Sequence, residues 1–275
     1  MKSFLDKIFL RSNNLDNIYQ NILALSKKTP VERIFNAINS FSKDSEIRYV
    51  GGCVRKIINK EQIDDLDFAT NLNPNETCDA LTKNNINFFK SGIDHGTITA
   101  LINKQKYEIT SLRKDVLTDG RHAKVEFSFD WKEDALRRDF TINSIYADKE
   151  GNLFDPLNGK DDLENGKVNF IGEVEKRIKE DYLRILRYVR FFLNYSKKKH
   201  NEKTLKDIKK NLNGVFNISS ERLLDELYKL VRSKNFLSLP EDKNCLEIIE
   251  LIFPQLKNIN IFSKLNTYAK ENFYK

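Results

Sequence analysis

The stretch that decides the fold runs from Ile47 to Asn71 and reads IRYVGGCVRKIINKEQIDDLDFATN. Its first four residues favour a strand that stops at Gly51 and Gly52, and paired glycines let a backbone adopt positive φ and approach a ligand closely. A short helix is predicted over Val54–Asn59, with its first amides and Arg55 suited to a phosphate group. Because most glycine pairs are plain turns, this part of the pattern is weak by itself.

The run DLDFA that follows alternates polar and apolar residues. On a strand, Asp65 and Asp67 would project from one face while Leu66 and Phe68 pack beneath it. Neighbouring carboxylates repel unless a cation bridges them, and Mg²⁺ with a nucleotide triphosphate fits that need. A lone D-x-D is most often a polar strand edge. The glycine turn just upstream favours the metal and triphosphate site.

Five motifs in order resemble those of the tRNA nucleotidyltransferase and bacterial poly(A) polymerase family. VGGCVRK with DDLDFAT resembles its first motif, RRDFTIN the second, LFDPLNG the third, EDYLRILRYVRF the fourth and ISSERLLDEL the fifth. The resemblance covers about Ile47–Leu230. It implies an α+β fold in which a polymerase-beta-like nucleotidyltransferase palm head is followed by an all-α neck and a partial body.

The first half of the chain reads as a mixed sheet with helices on it. A helix is predicted over Asn75–Lys83, a strand at Phe88–Lys90, and a hairpin from Gly96–Ile102 and Lys106–Leu112. Glu108 lies on the second hairpin strand. The residues alone leave it equally a third acid of the metal site or a surface glutamate, and the resemblance favours the functional role.

Residues Arg113–Asp134 are polar and include Gly120 and His122, a pattern that predicts a long mobile loop. In the resembled family a flexible loop here helps the site change from C to A addition. A full-length loop therefore argues against an enzyme that adds only C. His122 could be a catalytic base, but an exposed loop histidine is the favoured interpretation.

Two adjacent arginines, Arg137 and Arg138, stand beside Asp139. Guanidinium groups match phosphate oxygens and ribose hydroxyls, whereas the alternative is a salt bridge without a ligand, in which Asp139 could hold one arginine. The resemblance implies that Arg138 first and Arg137 second bind the substrate.

Ile178–Tyr195 has the clearest amphipathic pattern of the chain and predicts one helix, with Asp181 and Arg184 side by side along its apolar stripe. A surface salt bridge is the commoner explanation of an isolated D-x-x-R. The resemblance implies instead that Asp181 and Arg184 are a protein template selecting C or A, and that Arg187 and Arg190 meet the triphosphate.

Composition is that of an ordinary globular protein, with 40% hydrophobic residues among 275 and a net charge of +7. Arg184–Lys210 contains ten basic residues and two acidic ones, which suits a nucleic-acid backbone. The triplet Lys197-Lys198-Lys199 is equally explained as solvated surface.

Three cysteines, Cys53, Cys78 and Cys245, are far apart, with no C-x-x-C and no histidine at ligand spacing. Neither a zinc site nor a disulfide framework is indicated, so a reducing, cytoplasmic location is expected. The first residues make a poor signal peptide, no run approaches membrane-spanning length, and no membrane partner is expected.

We predict four parts: a helical extension over 1–30, a catalytic head over 31–160, a helical neck over 161–230 and a short body over 231–275. The last part looks short for the family's tRNA-gripping body and tail. The grip is then weaker or is supplied by a second subunit, as in a homodimer. Lys56 also departs from the family, which usually has an acid there.

The predicted activity is template-independent, Mg²⁺-dependent addition of CCA to tRNA 3′ ends from CTP and ATP, with release of pyrophosphate. Alternatives are an A-adding enzyme or poly(A) polymerase, and a catalytically silent tRNA-binding protein of the same fold. The predicted catalytic residues are Asp65, Asp67 and Glu108, of which Asp65 and Asp67 bind the metal. The predicted nucleotide-binding residues are Gly51, Gly52, Arg55, Arg137, Arg138, Asp181, Arg184, Arg187 and Arg190.

Overall fold

The computed structural model describes residues 18–28, 30–118, 123–256 and 258–264. They form two compact units, the first ending at Glu164 and the second beginning at Asn165. The predicted boundary after residue 160 falls inside the last helix of the first unit, and the further division at 230 stays a prediction. The apolar residues predicted to dock the N-terminal extension lie outside the described residues: Phe4, Ile8, Leu10 and Leu15.

A seven-stranded mixed sheet forms the centre of the first unit. In spatial order its strands are β3 (Asn87–Gly92), β4 (Thr97–Ile102), β5 (Gln105–Ser111), β2 (Asp67–Thr70), β1 (Ile47–Val50), β8 (Tyr146–Ala147) and β9 (Leu153–Phe154). Strands β2 and β5 run parallel, and the other neighbours in this sheet run antiparallel. The predicted mixed sheet and hairpin are confirmed, and the parallel pair joins the aspartate strand to the strand of Glu108.

Helices accompany this sheet, and the first two contribute to its core. They are α1 (Ile18–Lys28), α2 (Val31–Asn39), α3 (Gly52–Ile58), α4 (Pro74–Lys83), α5 (Trp131–Arg137) and α6 (Gly159–Glu164). Ile22 of α1 is fully buried in the same core as Phe35 of α2. The Phe35 ring lies 5.0 Å from that of Tyr49 and 5.7 Å from that of Phe68, so aromatic packing fixes α2 on β1 and β2.

The predicted loop over 113–134 is wrong. Its residues form a second, two-stranded sheet from β6 (Arg113–Thr118) and β7 (Ala123–Phe127), followed by α5. Cross-strand pairs such as Lys114 with Glu126, 3.3 Å apart, stabilise a ribbon whose charged residues hide the usual strand pattern. Gly120 and His122 lie outside the described residues.

The second unit is helical, as predicted. Its helices are α7 (Val174–Glu180), α8 (Leu183–Tyr195), α9 (Glu202–Asn211), α10 (Ser220–Val231) and α11 (Lys243–Ile252). Pro240 and Pro254 lie in short 3₁₀ turns between or after helices. Ser219 precedes α10 as predicted, but its side chain makes no capping hydrogen bond there. Among the described helices, none has the length and apolar content needed to cross a bilayer.

Candidate active site

The glycine turn joins β1 to α3. Gly51 has φ of +69°, a conformation that side chains disfavour, and its amide donates to the carbonyl of Ile145 at 3.3 Å. A Cβ placed on Gly51 would lie 3.7 Å from Nη1 of Arg138. The helix starts at Gly52, two residues earlier than predicted. Because Gly51 has no side chain, its backbone lies close to the guanidinium group of Arg138.

Three acidic residues lie beside this turn. Asp67, the first residue of β2, pairs in register with Glu108 of the parallel strand β5. Asp65 is exposed just before the strand, and Leu66 is buried between the two aspartates, as the alternation predicted. The residues alone left the place of Glu108 open, and the structure puts it next to Asp67.

Asp67 reports the electrostatics of this cluster. Its pKa is raised to about 6, first by burial and then by the negative charges of Glu108 and Asp65, while Arg138 and Arg55 act in the opposite direction. A carboxylate in this environment gains from a bound cation. The cluster therefore favours the binding of a cation at this place.

The donor set fits a hard divalent cation. In the described part of the chain, the oxygens of all three acids do not converge within 4.8 Å of one another. Such cations in nucleotide sites commonly use only one or two protein carboxylates and take other oxygens from phosphates and water. Asp65 and Asp67 can supply those carboxylates, with Glu108 adding charge beside them.

A buried carboxylate holds the two adjacent arginines. Asp134, only 1% exposed, lies 2.6 Å from Nη2 of Arg137, and Nη2 of Arg138 donates to it at 2.9 Å. The Tyr146 hydroxyl donates to the same carboxylate at 2.7 Å and accepts from Nε of Arg138 at 3.0 Å. Burial alone would raise the pKa of Asp134, but Arg138, Arg137 and Tyr146 hold it well below its usual range.

Asp134 was missed from the sequence because it fell in the predicted loop. The available signal was its spacing of three and four residues from Arg137 and Arg138, which places all three on one side of a helical turn. Asp139 accepts from the Phe140 amide at 2.8 Å and from the Asn143 side chain at 2.9 Å.

Arg55 is nearly buried, at 5% exposure, and donates to the side-chain oxygen of Asn143. Asn143 in turn donates to Asp139, so the glycine-turn motif and the second motif are joined by one hydrogen-bonded chain. Lys56, next along α3, pairs with Asp64 at 2.5 Å. Lys56 therefore forms a salt bridge with the residue that directly precedes Asp65.

In the second unit, the predicted single helix over 178–195 is wrong, because it is broken between α7 and α8. Asp181 is extended, with φ of −154° and ψ of 104°, and its side chain accepts from the Leu183 amide at 3.1 Å. This local bond competes with the helical pattern. A Cβ on Gly214 would lie 2.0 Å from the Tyr182 ring, so only glycine admits the ring there.

The predicted template residues have separate side-chain partners in this unit. Asp181 accepts from Nη2 of Arg222 at 2.8 Å. Arg184 donates to Glu180 at 2.8 Å and to the carbonyl of Arg177 at 2.6 Å. They remain neighbours through a backbone bond from the Arg184 amide to the Asp181 carbonyl, at 3.0 Å. The predicted side-by-side pair is therefore replaced by two salt bridges.

A buried glutamate holds the next two arginines. Glu226 of α10 is 2% exposed, accepts from Nε of Arg190 at 2.5 Å and lies 3.9 Å from Nη1 of Arg187. Glu226 and Arg222 stand one turn apart on α10. That spacing was the sequence signal for their shared role, although it does not identify their partners on another helix.

Comparison with known proteins adds a family assignment to this geometry. Residues 47–169 match the family model described as the poly A polymerase head domain. This range contains the glycine turn, the acids and the paired arginines.

Similar proteins include human "CCA tRNA nucleotidyltransferase 1, mitochondrial", 46% identical over 192 residues, or 69% of this chain and 44% of the relative. A "CCA-adding enzyme" of Lactobacillus delbrueckii subsp. bulgaricus is 37% identical over 69% of this chain and 47% of the relative. The chain thus spans about half the length of these curated relatives.

A solved structure, the Bacillus stearothermophilus CCA-adding enzyme in complex with CTP, is similar with a TM-score of 0.67 and 27% identity. The likeness covers 84% of this chain and 57% of that protein.

Proposed function

Because the chain belongs to the tRNA nucleotidyltransferase and poly(A) polymerase family, we propose that it adds C, C and A to tRNA 3′ ends without a nucleic-acid template. CTP and ATP are the substrates and pyrophosphate is released. The observation that carries the proposal is the acid pair Asp67 and Glu108 in register beside the glycine turn, with Arg138 above the turn. The names of the similar proteins support CCA addition as the activity.

Mg²⁺ is the cation that we propose for Asp65 and Asp67, since carboxylate oxygens are its preferred protein ligands. Bound there, it would lower the pKa of the attacking 3′-hydroxyl and neutralise charge on the triphosphate. Glu108 completes the acidic face and, by its charge, strengthens the preference of Asp67 for a cation. These three residues are our proposed catalytic set.

The triphosphate would be held by fixed positive charge and backbone. Asp134 and Tyr146 restrict the side chain of Arg138, so its guanidinium is oriented before a substrate arrives. Gly51 and Gly52 leave room for phosphate oxygens beneath it. Arg55 contributes charge from its nearly buried position, and Arg137 shares the carboxylate that orients Arg138.

Base selection is assigned to Asp181 and Arg184 in the second unit. A carboxylate accepts hydrogen bonds and a guanidinium donates them, which are the capacities needed to read the Watson–Crick edge of a base. Their salt bridges with Arg222 and Glu180 hold both groups in defined places. Arg187 and Arg190 are proposed to meet the triphosphate, with Glu226 positioning them.

The tRNA backbone would follow the basic residues of Arg184–Lys210, of which Lys197, Lys198 and Lys199 are exposed. A homodimer is our proposal for completing the grip, and the cytoplasm our proposed compartment. Cys53, Cys78 and Cys245 are free and buried, which suits a reducing compartment.

A second candidate, addition of A alone, is favoured by the poly A polymerase description of the matching head model. The two activities separate on defined substrates. Purified protein is incubated with Mg²⁺, CTP and ATP and with tRNA transcripts that end before CCA, after C or after CC, and the new 3′ ends are sequenced. CCA on all three supports the proposal. Extension of the CC-ending transcript alone overturns it in favour of A addition, and no extension favours a silent tRNA-binding protein.

A matched pair of variants tests the site itself. Asp67→Asn should abolish extension while leaving tRNA affinity nearly unchanged, because it removes a cation ligand and leaves the basic surface intact. Asp64→Asn makes the same chemical change at an exposed neighbour paired with Lys56, and it should keep activity. Full activity in Asp67→Asn would remove the acid pair from the mechanism.

A further inference from the structure

Three side chains of metal-binding type meet in the second unit, far along the chain from the proposed catalytic acids. His200 lies just before α9, Asp242 caps α11, and Cys245 is in the first turn of α11. One ligand atom of each lies within 4.8 Å of the other two. In the part of the chain that the structure describes, this is the set of three such groups that converges so closely.

The distances between these ligand atoms are close to those found around a bound metal ion. Nε2 of His200 lies 2.9 Å from Oδ2 of Asp242 and 3.8 Å from Sγ of Cys245. Around a tetrahedral Zn²⁺, bonds of about 2.0–2.1 Å to nitrogen and oxygen and about 2.3 Å to sulfur place these donors roughly 3.3–3.6 Å apart. The two pairs that include His200 therefore need to move by only a few tenths of an ångström, and the Asp242 and Cys245 ligand atoms lie within 4.8 Å of each other.

We propose that His200, Asp242 and Cys245 form a Zn²⁺ site. Imidazole, carboxylate and thiolate together are a ligand set that favours this ion over Mg²⁺ or Ca²⁺, which prefer oxygen alone. Three protein ligands leave a fourth position for water.

The histidine ring is already oriented for this role. Its Nδ1 is 2.9 Å from the Tyr188 hydroxyl, and its ring stacks on Phe192 with centroids 3.6 Å apart and planes 12° apart. Zinc-bound histidines characteristically use their second ring nitrogen in such a hydrogen bond, which fixes the ring and its tautomer. Nε2 is thereby directed to Asp242 and Cys245.

The carboxylate is oriented as well. Oδ1 of Asp242 accepts from the amides of Asn244 and Cys245 at 3.1 and 3.0 Å, as the cap of α11. Oδ2, the oxygen nearer to the histidine nitrogen, remains available to a metal. The helix start thus holds both Asp242 and Cys245 in place, and the metal requires no unfolding of α11.

A metal ion can reach the site from solvent at the Asp242 side chain. The Asp242 side chain is 23% exposed and that of His200 is 7% exposed, whereas Cys245 is fully buried. Burial, and then the nearby Asp242 charge, raise the pKa of the Cys245 thiol, so the metal must displace its proton to solvent.

Without metal, Nε2 of His200 and the Asp242 carboxylate are hydrogen-bonded to each other at 2.9 Å. In that state the contact between His200 and Asp242 links α11 to the segment before α9. Metal binding would replace this hydrogen bond by metal–ligand bonds to all three residues and would release the Cys245 thiol proton. A test must therefore detect thiolate–metal bonding.

The test is a Co²⁺ titration of the tag-free full chain after metal removal, followed by absorbance. A near-ultraviolet thiolate-to-cobalt band with visible tetrahedral bands at one equivalent supports the site, particularly if Zn²⁺ abolishes them. The catalytic acids have no thiolate of their own, but Cys53 lies near Asp67, so loss of the band in Cys245→Ala is what assigns the band to this site. Absence of the band in the wild-type protein overturns the proposal.

Variants locate the ligands. Cys245→Ala should lose the band, whereas the control Cys78→Ala removes another buried thiol, in the first unit, and should retain it. Tyr188→Phe should weaken Co²⁺ binding about tenfold while keeping the band, because it removes only the outer hydrogen bond. A band that survives in folded Cys245→Ala protein would overturn the assignment. If Cys245→Ala does not fold, His200→Gln replaces it in the test. The site then requires the band in the wild-type protein and its loss in folded His200→Gln.

Discussion

Asp67 and Glu108 face each other on the parallel strands β2 and β5, although 40 residues of chain separate them. Like charges placed side by side repel, and the raised pKa of Asp67 records that repulsion together with its burial. The fold therefore retains an arrangement that costs stability in the absence of a cation. Such a cost is typical of a functional site rather than of a structural salt bridge.

Glu108→Gln should raise the stability of the metal-free protein and lower its activity. Removing one of the two charges should stabilise the metal-free protein by about 0.2–1 kcal/mol in urea unfolding with EDTA at neutral pH. Activity with Mg²⁺ should fall roughly 10- to 100-fold, as when an outer residue of a metal site is lost. Glu126→Gln, at an exposed position of β7, is the control; it removes only a surface ion pair with Lys114, so both quantities should change little. Lower stability of Glu108→Gln in EDTA would contradict the repulsion argument.

Asp134→Asn should damage both the fold and nucleotide binding. The substitution leaves Arg137 and Arg138 without the buried carboxylate that holds them, and loss of one partner of a buried ion pair costs about 3–5 kcal/mol. The free energy of unfolding should fall accordingly, and KM for nucleotide should rise because Arg138 is no longer oriented. Tyr146→Phe removes one hydrogen bond to the same carboxylate and should cost about 1–2 kcal/mol. Equal stability of Asp134→Asn and wild type would contradict this assignment.

The same carboxylate predicts a pH dependence. The pKa of Asp134 is lower in the folded protein than in the unfolded chain, where it is about 3.9. Its contribution to stability is therefore complete above the unfolded value and is lost as the pH falls toward the folded one. The stability difference between wild type and Asp134→Asn should shrink from about pH 5 downward. Urea unfolding at stepped pH measures it, and taking the difference cancels groups that both proteins share. A difference that grows in acid would reverse the sign.

Local signals in the sequence were sufficient for the first part of the site. The glycine pair predicted the turn at Gly51, and the alternation around Asp67 predicted which side chains are buried. The hairpin was also predictable, since Asn103 and Lys104 form a two-residue turn with positive φ. Each of these features depends on residues close together in the chain.

The adjacency of Glu108 to Asp67 could not be derived, because it depends on a parallel pairing between distant strands. The break at Asp181 was hidden because helical periodicity continues through it. What permits the break is the fit of the Tyr182 ring against Gly214 on another segment. The partner of Arg190 was also missed, since Glu226 reaches it from a separate helix. A contact between two distant segments does not change the pattern of polar and apolar residues in either segment, so it cannot be predicted from that pattern.

Arg222 is expected to determine how accurately the base is selected, given the proposed role of Asp181. Its guanidinium lies 2.8 Å from the Asp181 carboxylate, but its side chain is 53% exposed. Exposed ion pairs contribute about 0–1 kcal/mol, so Arg222→Gln should leave the free energy of unfolding almost unchanged. Without this partner, the carboxylate at the break between α7 and α8 has more freedom. KM for CTP and ATP should rise, and incorporation of UTP or GTP should increase several-fold.

Lys229→Gln is the matched control for Arg222→Gln. Lys229 lies on the same helix and forms an exposed pair with Asp225 at 2.6 Å, away from Asp181. It should retain wild-type fidelity when single-nucleotide extension of each tRNA transcript is compared among the four nucleotides. Equal fidelity in both variants would show that Asp181 is oriented without Arg222. Reduced fidelity in Arg222→Gln alone, with unchanged stability, would separate a positioning effect from loss of folding.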